Sequence, residues 1–491
     1  MIYNLCRRLK NEIEVRQTLS QLRQEIKDST NKEMVISWLL KDGLDLSHFL
    51  QNDDAKTRKN AALLIGDLHL SSYADNLFQA YEKEKTLFVK EAYLRAMQHM
   101  DITPFLPQLK EHLQALSETE TTSENKKHME KELHALTDLI LSVNEDQIHS
   151  FRNGKNTFHC LFRTNPLFPE ITEKQMNTSE TSTSRLGVRI STKNIRHLLN
   201  IRTWNELLFQ IPGMISCGPE PEVLGKTIAS SSLLDFLFKS HDGSFPFYFR
   251  LGVKNKMALK DRSIFTQKIA SSIEKYSHRK LINSTSNYEF EIRLIERKDG
   301  NYYLFLKLYT IDDHRFDYRK EYIPTSIKPV NAALLVQLAK DYMKPDAQIL
   351  DPFCGVGTML IERQKVIKGN TSYGIDHSPE AIEKAIINTN LADQIIHYVN
   401  KDCFAFAHEY PFDEIFTEMP YATGQKSEND IYEIYKNFFP MAKRLLRPEG
   451  TIIMYTRNHE YVKKLCTKCN FQIIKQYKIT EKPETWLIIL R

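Results

Sequence analysis

A chain of 491 residues with 41% hydrophobic content can bury two or three separate cores, and its seven scattered cysteines, odd in number, exclude a disulfide framework and point to a reducing compartment. No apolar run reaches the ~18 residues that a membrane-spanning helix needs, and Met1 to Glu14, with Arg7, Arg8 and Lys10, lacks the apolar core of a signal peptide, so the expected location is the cytoplasm. The net charge of +5 is too small to identify a partner, and its distribution along the chain is the informative part.

Residues 1–145 read as all-helical. Asn60-Ala61-Ala62-Leu63-Leu64-Ile65-Gly66 recurs loosely as Glu91-Ala92-Tyr93-Leu94-Arg95-Ala96-Met97, a period of 31 in which Lys59 matches Lys90 and Leu63 matches Leu94. Alanine at matching positions lets paired helices pack closely, and Asp53-Asp54 opens one of them. The pattern resembles short HEAT-like repeats, which implies a surface for a protein partner; a plain helical bundle is the alternative. Ser117 to Glu124 interrupts the region as an exposed loop.

An α/β module is expected over 155–317. Its first half carries little signal, and Asn177 to Ser184, a run of Thr, Ser, Asn and Glu, reads as a flexible loop or linker. Further on, Phe247 to Val253 reads as a strand, Ile264/Phe265, Ile269 and Ile273 as a helical stripe, and Tyr288 to Leu294 as a second strand turned by Asp299-Gly300 into Tyr303 to Leu308. Between Arg250 and Lys280 nine Lys and Arg stand against only Asp261 and Glu274, while the rest of the chain is slightly negative. Such a local field suits phosphates, with Arg250, Lys254, Lys256, Lys260 and Arg262 as candidate contacts; a solvated lysine face has the same composition. The order strand, basic helix, strand, hairpin strand resembles a THUMP domain, the RNA-binding module of thiouridine synthases, methyltransferases and pseudouridine synthases, and the resemblance implies RNA as a partner.

In residues 322–491 the most specific pattern is Ile349-Leu350-Asp351-Pro352-Phe353-Cys354-Gly355-Val356-Gly357-Thr358, a strand, a glycine turn and a helix start. Glycines let backbone approach a ligand that a Cβ would exclude, and a helix N-terminus offers unpaired N–H groups. The spacing is neither G-x-G-x-x-G nor a phosphate loop followed by Gly-Lys-Ser/Thr, which leaves S-adenosylmethionine as the fitting cofactor. Tyr373-Gly374-Ile375-Asp376 ends a second strand in an acid placed for ribose hydroxyls, and Ser378-Pro379-Glu380 opens the next helix. His397 to Asp402 reads as a third short strand, with Asp402 an acceptor for an adenine amino group or else a surface turn acid. A fourth strand, Asp413 to Thr417, runs into Glu418-Met419-Pro420-Tyr421-Ala422-Thr423-Gly424.

From about Tyr322 onward the chain resembles class I methyltransferases that modify exocyclic amines of nucleic-acid bases, marked by Asp/Asn-Pro-Pro-Tyr/Phe and by variants with one apolar residue before a single proline. Glu418-Met419-Pro420-Tyr421 is similar to such a variant, with Glu one methylene longer than Asp. An aromatic amine is a poor nucleophile, so an enzyme must hold it against a methyl donor and accept its protons; a side-chain oxygen and a proline-stiffened carbonyl supply acceptors, and Tyr421 supplies a stacking face. Glu418, Pro420 and Tyr421 are thus the candidate catalytic residues. The resemblance implies Asp351, Phe353, Gly355, Gly357, Thr358, Asp376, His377, Asp402 and Cys403 as the cofactor-binding set. Leu446 to Gly450 reads as a turn, Thr451 to Thr456 as a strand, and Phe471 to Thr480 with Thr485 to Leu490 as a closing antiparallel pair; Cys466-Thr467-Lys468-Cys469 has metal-ligand spacing but no partner set, so no metal is expected.

The fold expected is therefore α/β: a class I (Rossmann-like) methyltransferase seven-stranded sheet over 322–491, an α/β THUMP-like domain over 155–317, and an all-α HEAT-like region over 1–145. By resemblance the function is methylation of the 2-amino group of a guanosine by S-adenosylmethionine, best fitted to tRNA, with ribosomal RNA next. DNA adenine methylation ranks below, because no DNA target-recognition region is apparent, and a non-catalytic scaffold is favoured only by Glu418.

Overall fold

The computed structural model describes residues 2–119, 125–143, 149–153, 156–178, 180–211, 213–214, 216–243, 246–422 and 427–491. They fall into two compact units, one of residues 1–152 with 211–310 and the other of residues 153–210 with 311–491. The stretch 155–317 thus contributes to both.

In the first unit, helices built on small residues pack in pairs. Ala55–Asp67 lies against Leu87–Ala96, and that helix in turn against Lys126–Val143. Ala61, Ala62 and Ala92 of the 31-residue period are all buried in the core. Gly66 brings the backbones closest: a Cβ there would stand 2.6 Å from the Ala96 Cα. Asp54 caps its helix by accepting from the amides of Lys56 and Thr57. Part of the expected loop Ser117 to Glu124, residues 120–124, lies outside the described residues.

The same unit carries a sheet in the order Leu281–Asn283, Phe247–Lys254, Phe290–Glu296, Tyr302–Leu308. The first two pairings are parallel, and the last pair closes as an antiparallel hairpin. Helix Leu259–Tyr276 covers it with Phe265, Ile269 and Ile273, the apolar stripe read from the sequence, while Ile264 faces outward.

The second unit opens with Phe158–Thr164, antiparallel to both Gly187–Thr192 and Trp204–Gln210. Thr181–Ser184 pairs with Gly187–Thr192, so the expected linker Asn177 to Ser184 ends in an edge strand instead. Alternating Thr and Ser suit a half-solvated pleat, and Gly187, at φ +132°, closes the hairpin where a Cβ would collide with the Phe162 carbonyl. Ser179 of that stretch lies outside the described residues. Arg202 fastens this piece to the C-terminal part of the unit through two bonds to Glu362, at 2.8 and 2.6 Å, and the Tyr318 hydroxyl donates to the same carboxylate at 2.6 Å. Arg315 stacks on Trp204 and donates to the Ile201 and Trp204 carbonyls.

Seven strands then form one sheet. In chain order they are Gln348–Asp351, Thr371–Asp376, His397–Asn400, Phe412–Glu418, Leu446–Thr456, Ile473–Glu481 and Glu484–Leu490, and in space they run third, second, first, fourth, fifth, seventh, sixth. The first five are parallel and the seventh is antiparallel to both neighbours. Neighbouring residues alternate between two cores: Leu350, Ile415, Ile452 and Ile488 enter one, Ile349, Phe416, Ile453 and Ile489 the other. Both faces are covered, so the strands read as continuous apolar runs. A buried pair, Arg363 with Glu414 at 2.9 Å, ties the helix after the first strand to the fourth.

Leu446 to Gly450, expected as a turn, belongs to the fifth strand. Phe412 pairs with Leu446 and Glu414 with Thr451, so residues 447–450 bulge opposite Asp413. The bulge accommodates Pro448, which has no N–H for a ladder, and Arg447 bonds Asp413 across it at 2.7 Å. Among the described residues no helix is long and apolar enough to cross a membrane.

Candidate active site

The carboxyl ends of the first four strands point into one cavity of about 900 Å³. A parallel sheet places a ligand crevice there, where the strand order reverses between the first and fourth strands. Its wall includes Phe353, Gly355, Thr358, Asp376, His377, Asp402 and Cys403 on one side and Glu418, Pro420 and Tyr421 on the other. The sequence candidates from four separate loops are thereby brought together.

The turn after the first strand is held from below. Asp351 is wholly buried; its Oδ1 accepts from the Phe353 amide at 3.1 Å and the Thr417 hydroxyl at 2.6 Å, and its Oδ2 has no partner. Burial, reinforced by the nearby Asp376, pushes its carboxyl up to about 7, against the pull of those two donors. Asp351 does not itself line the cavity, nor does Gly357. Gly357 sits at φ +81° as the residue before helix Thr358–Val366, in a place where a Cβ would collide with the Tyr398 hydroxyl. Gly355, at φ +51°, has open space where a Cβ would be. Its amide donates to Asp376 Oδ2 at 3.0 Å, while the Ser378 amide donates to Oδ1 at 2.9 Å. Asp376 therefore positions the turn while remaining on the cavity wall. Asp402 caps the short turn Cys403–Ala405 by accepting from Phe404 N–H at 3.0 Å.

This cradle fits a nucleoside-bearing cofactor. Gly355 leaves room for close approach, Asp376 and Asp402 present acceptor oxygens, and Thr358 offers a buried hydroxyl on the wall that has no protein partner.

Glu418 ends the fourth strand beside Met419, whose amide donates to the Tyr455 carbonyl at 2.8 Å and so continues the sheet pairing past the strand end. Burial pushes the Glu418 carboxyl up to about 8; Asp351 adds to the rise, while Arg457 and the Ile327 amide oppose it. Tyr421 is half-buried, and the Arg457 guanidinium stands 3.5 Å from its ring centroid. Thr423 and Gly424, the end of the sequence motif, lie outside the described residues.

Sequence reasoning missed two contributors. Ile323 to Ile327 forms part of the cavity wall, signalled only by Pro329 at the first position of the helix that follows, and Arg457 carries no local signal at all. In the other unit, Lys254, Lys256 and Lys260 are exposed and Arg262 half-buried. Arg250 is engaged internally: it bonds Glu291 at 2.7 Å, the Tyr309 hydroxyl at 2.6 Å and the Tyr288 hydroxyl, and stacks on the Tyr288 ring. Cys466 is buried and Cys469 half-buried; among the described residues no cluster of metal-ligating side chains occurs.

Residues 317–482 match the family described as the RMKL-like methyltransferase domain. Over 130 residues the chain is 33% identical to a tRNA (guanine(10)-N2)-dimethyltransferase of Pyrococcus abyssi, a stretch covering 26% of this chain and 37% of that protein. The chain thus spans little more than a third of that relative. TrmN from Thermus thermophilus superposes with a TM-score of 0.51 at 15% identity, covering 68% of this chain and 99% of its own. SMU.472, solved in complex with SAH, superposes with a TM-score of 0.52 at 14% identity, covering 68% and 98%. With its strand order and its crevice, the seven-stranded part of this chain has the Rossmann-like methyltransferase fold.

Proposed function

We propose that this protein is an S-adenosylmethionine-dependent RNA methyltransferase that modifies the exocyclic 2-amino group of a guanosine in tRNA. The observation that carries the reading is one continuous cavity, running from the Gly355, Asp376 and Asp402 cradle to Glu418, Pro420 and Tyr421. The named activity of the Pyrococcus abyssi relative supports the base and RNA class.

Bound S-adenosylmethionine supplies a methyl group activated by a sulfonium. On this reading the chain's own residues do the rest. Asp376 and Asp402 accept from the cofactor's hydroxyl and amino groups, and Gly355 keeps the backbone clear of it. Tyr421 offers one ring face to the target base, and Pro420 stiffens the carbonyls beside it. Glu418, as carboxylate, accepts from the amine and stabilises the positive charge that grows as the new N–C bond forms. Exposed Lys254, Lys256 and Lys260 are proposed as RNA contacts, 155–317 as the RNA-binding module, and the cytoplasm as the place of action.

Mass spectrometry of nucleosides from a strain lacking the gene tests this. One N2-methylated guanosine should vanish from the tRNA fraction. Loss confined to ribosomal RNA would move the substrate there, and unchanged nucleosides in both would end the reading.

A further inference from the structure

Behind Glu418 and Tyr421 lies a second cavity of about 280 Å³. Residues 324–327 with Glu418, Met419 and Tyr421 line both spaces, Pro420 only the large one, and Arg457, Lys328 and Asn331 only the small one. Tyr421 is therefore a partition with two different sides. On the small side its ring is covered by the Arg457 guanidinium, 3.5 Å from the centroid, so a base has no free face of Tyr421 to stack on there.

The chemistry of the small cavity suits an anion. Arg457 and Lys328 are both exposed, and the space opens at the start of the eleven-residue helix Pro329–Ala339, the positive end of its dipole. Glu418 is the one acid among the residues that line it, so Arg457 and Lys328 outnumber it. A stacked guanidinium still presents its N–H edge, and that fork matches phosphate oxygens. Polar side chains of Thr325, Ser326 and Asn331 also lie in its wall.

We propose that this cavity binds a backbone phosphate of the acceptor RNA beside the target nucleotide, held by Arg457 and Lys328, while Arg457 braces Tyr421 for the base on its opposite face. The inference rests on the RNA methyltransferase reading and adds the residues that orient the substrate. Arg457 is thus a positioning residue for Tyr421 as well as a phosphate ligand.

Steady-state methylation of tRNA isolated from the deletion strain, run across a salt series, separates these roles. Arg457→Ala should raise KM about ten- to a hundredfold, the effect of removing one charge-assisted hydrogen-bonding group, and reduce the slope of log affinity against log salt by about 0.7–0.9. Lys328→Ala should likewise raise KM and reduce the slope by a similar amount. Arg457→Lys keeps the charge but loses the planar stack, so it should retain the salt slope and lose kcat several-fold. Thermal melts and cofactor calorimetry on each variant confirm that the fold and the cradle persist. If folded Arg457→Ala and Lys328→Ala variants keep KM within twofold of wild type and leave the salt slope unaltered, the proposal is overturned. A wild-type protein that binds S-adenosylmethionine yet methylates no RNA would sink the parent reading, and this subsite with it.

Discussion

Burial holds the Glu418 carboxyl partly protonated up to about pH 8, although an amine acceptor must be ionised. If the protein methylates tRNA as proposed, single-turnover methylation should therefore speed up as pH rises through about 8. Glu418→Gln keeps an acceptor oxygen and loses the charge, so its rate should fall on the order of 10²–10³ and lose that pH dependence, with RNA affinity unchanged. A Gln variant at wild-type speed would remove Glu418 from the chemistry and leave the carbonyls beside Pro420 to hold the amine. Asp351 makes a separate claim on stability. Its folded value of about 7 lies above the unfolded one of 3.8, as that of Glu418 lies above 4.5, so the folded state keeps protons that the unfolded chain has released. Stability from these groups is full below about pH 4 and is lost as pH rises towards 7 or 8, by about 1.4 kcal/mol per pH unit for each group between its two values. Urea denaturation from pH 5 to 8 should show the decline, and Asp351→Asn, which keeps an acceptor for the Phe353 amide and Thr417, should make it shallower and leave the Glu418 share. An identical decline in the Asn variant would mean that Asp351 is ionised when folded.

At the scale of elements, what distinguishes a legible feature from an illegible one is whether its cause is local. The alternating strands and the Ser378 cap, which accepts from Ala381 N–H, follow from neighbours in the chain and are readable there. The bulge at residues 447–450 and the edge strand Thr181–Ser184 depend on which strand lies alongside, and both read as turn or linker. Gly66 is a third case. An exposed helical glycine changed to alanine gains about 1 kcal/mol in helix propensity, but here the new Cβ would meet the Ala96 backbone at 2.6 Å. Overpacking of about 1–3 kcal/mol outweighs the gain, so Gly66→Ala should lower the denaturation midpoint of the helical region. A rise in the midpoint would show that the two helices can separate at little cost.

For the whole molecule, the charge excess of Arg250 to Lys280 separates into two kinds of residue. Arg250 is engaged with Glu291 and two tyrosines, whereas Lys254, Lys256 and Lys260 are exposed on and after the strand Phe247–Lys254. If the exposed three bind phosphates, changing all three to Glu should weaken tRNA binding and lower the salt slope by about 0.7–0.9 for each phosphate no longer neutralised. The same change at Arg250 should instead destabilise the sheet, because it leaves Glu291 facing another carboxylate in a half-closed setting. Filter binding at several salt concentrations decides the first point; an unaltered slope would leave the lysines as a solvated face.

The sequence by itself determined the order of strands in residues 322–491, though not the strand residues 446–450, together with the glycine turn at Gly355 and Gly357 and the candidate acids Asp351, Asp376, Asp402 and Glu418, since each is written in short-range periodicity and spacing. Only the tertiary structure decided which of these face the cavity: Asp376, Asp402 and Glu418 line it, while Asp351 is sealed beneath the turn against Thr417. It alone also placed Arg457 over Tyr421, the stretch 323–327 in the wall, and residues 153–210 in the same unit as the catalytic sheet. The reason is physical: such pairings join residues tens to hundreds of positions apart, and their energy comes from burial and charge pairing that no local pattern of side chains records.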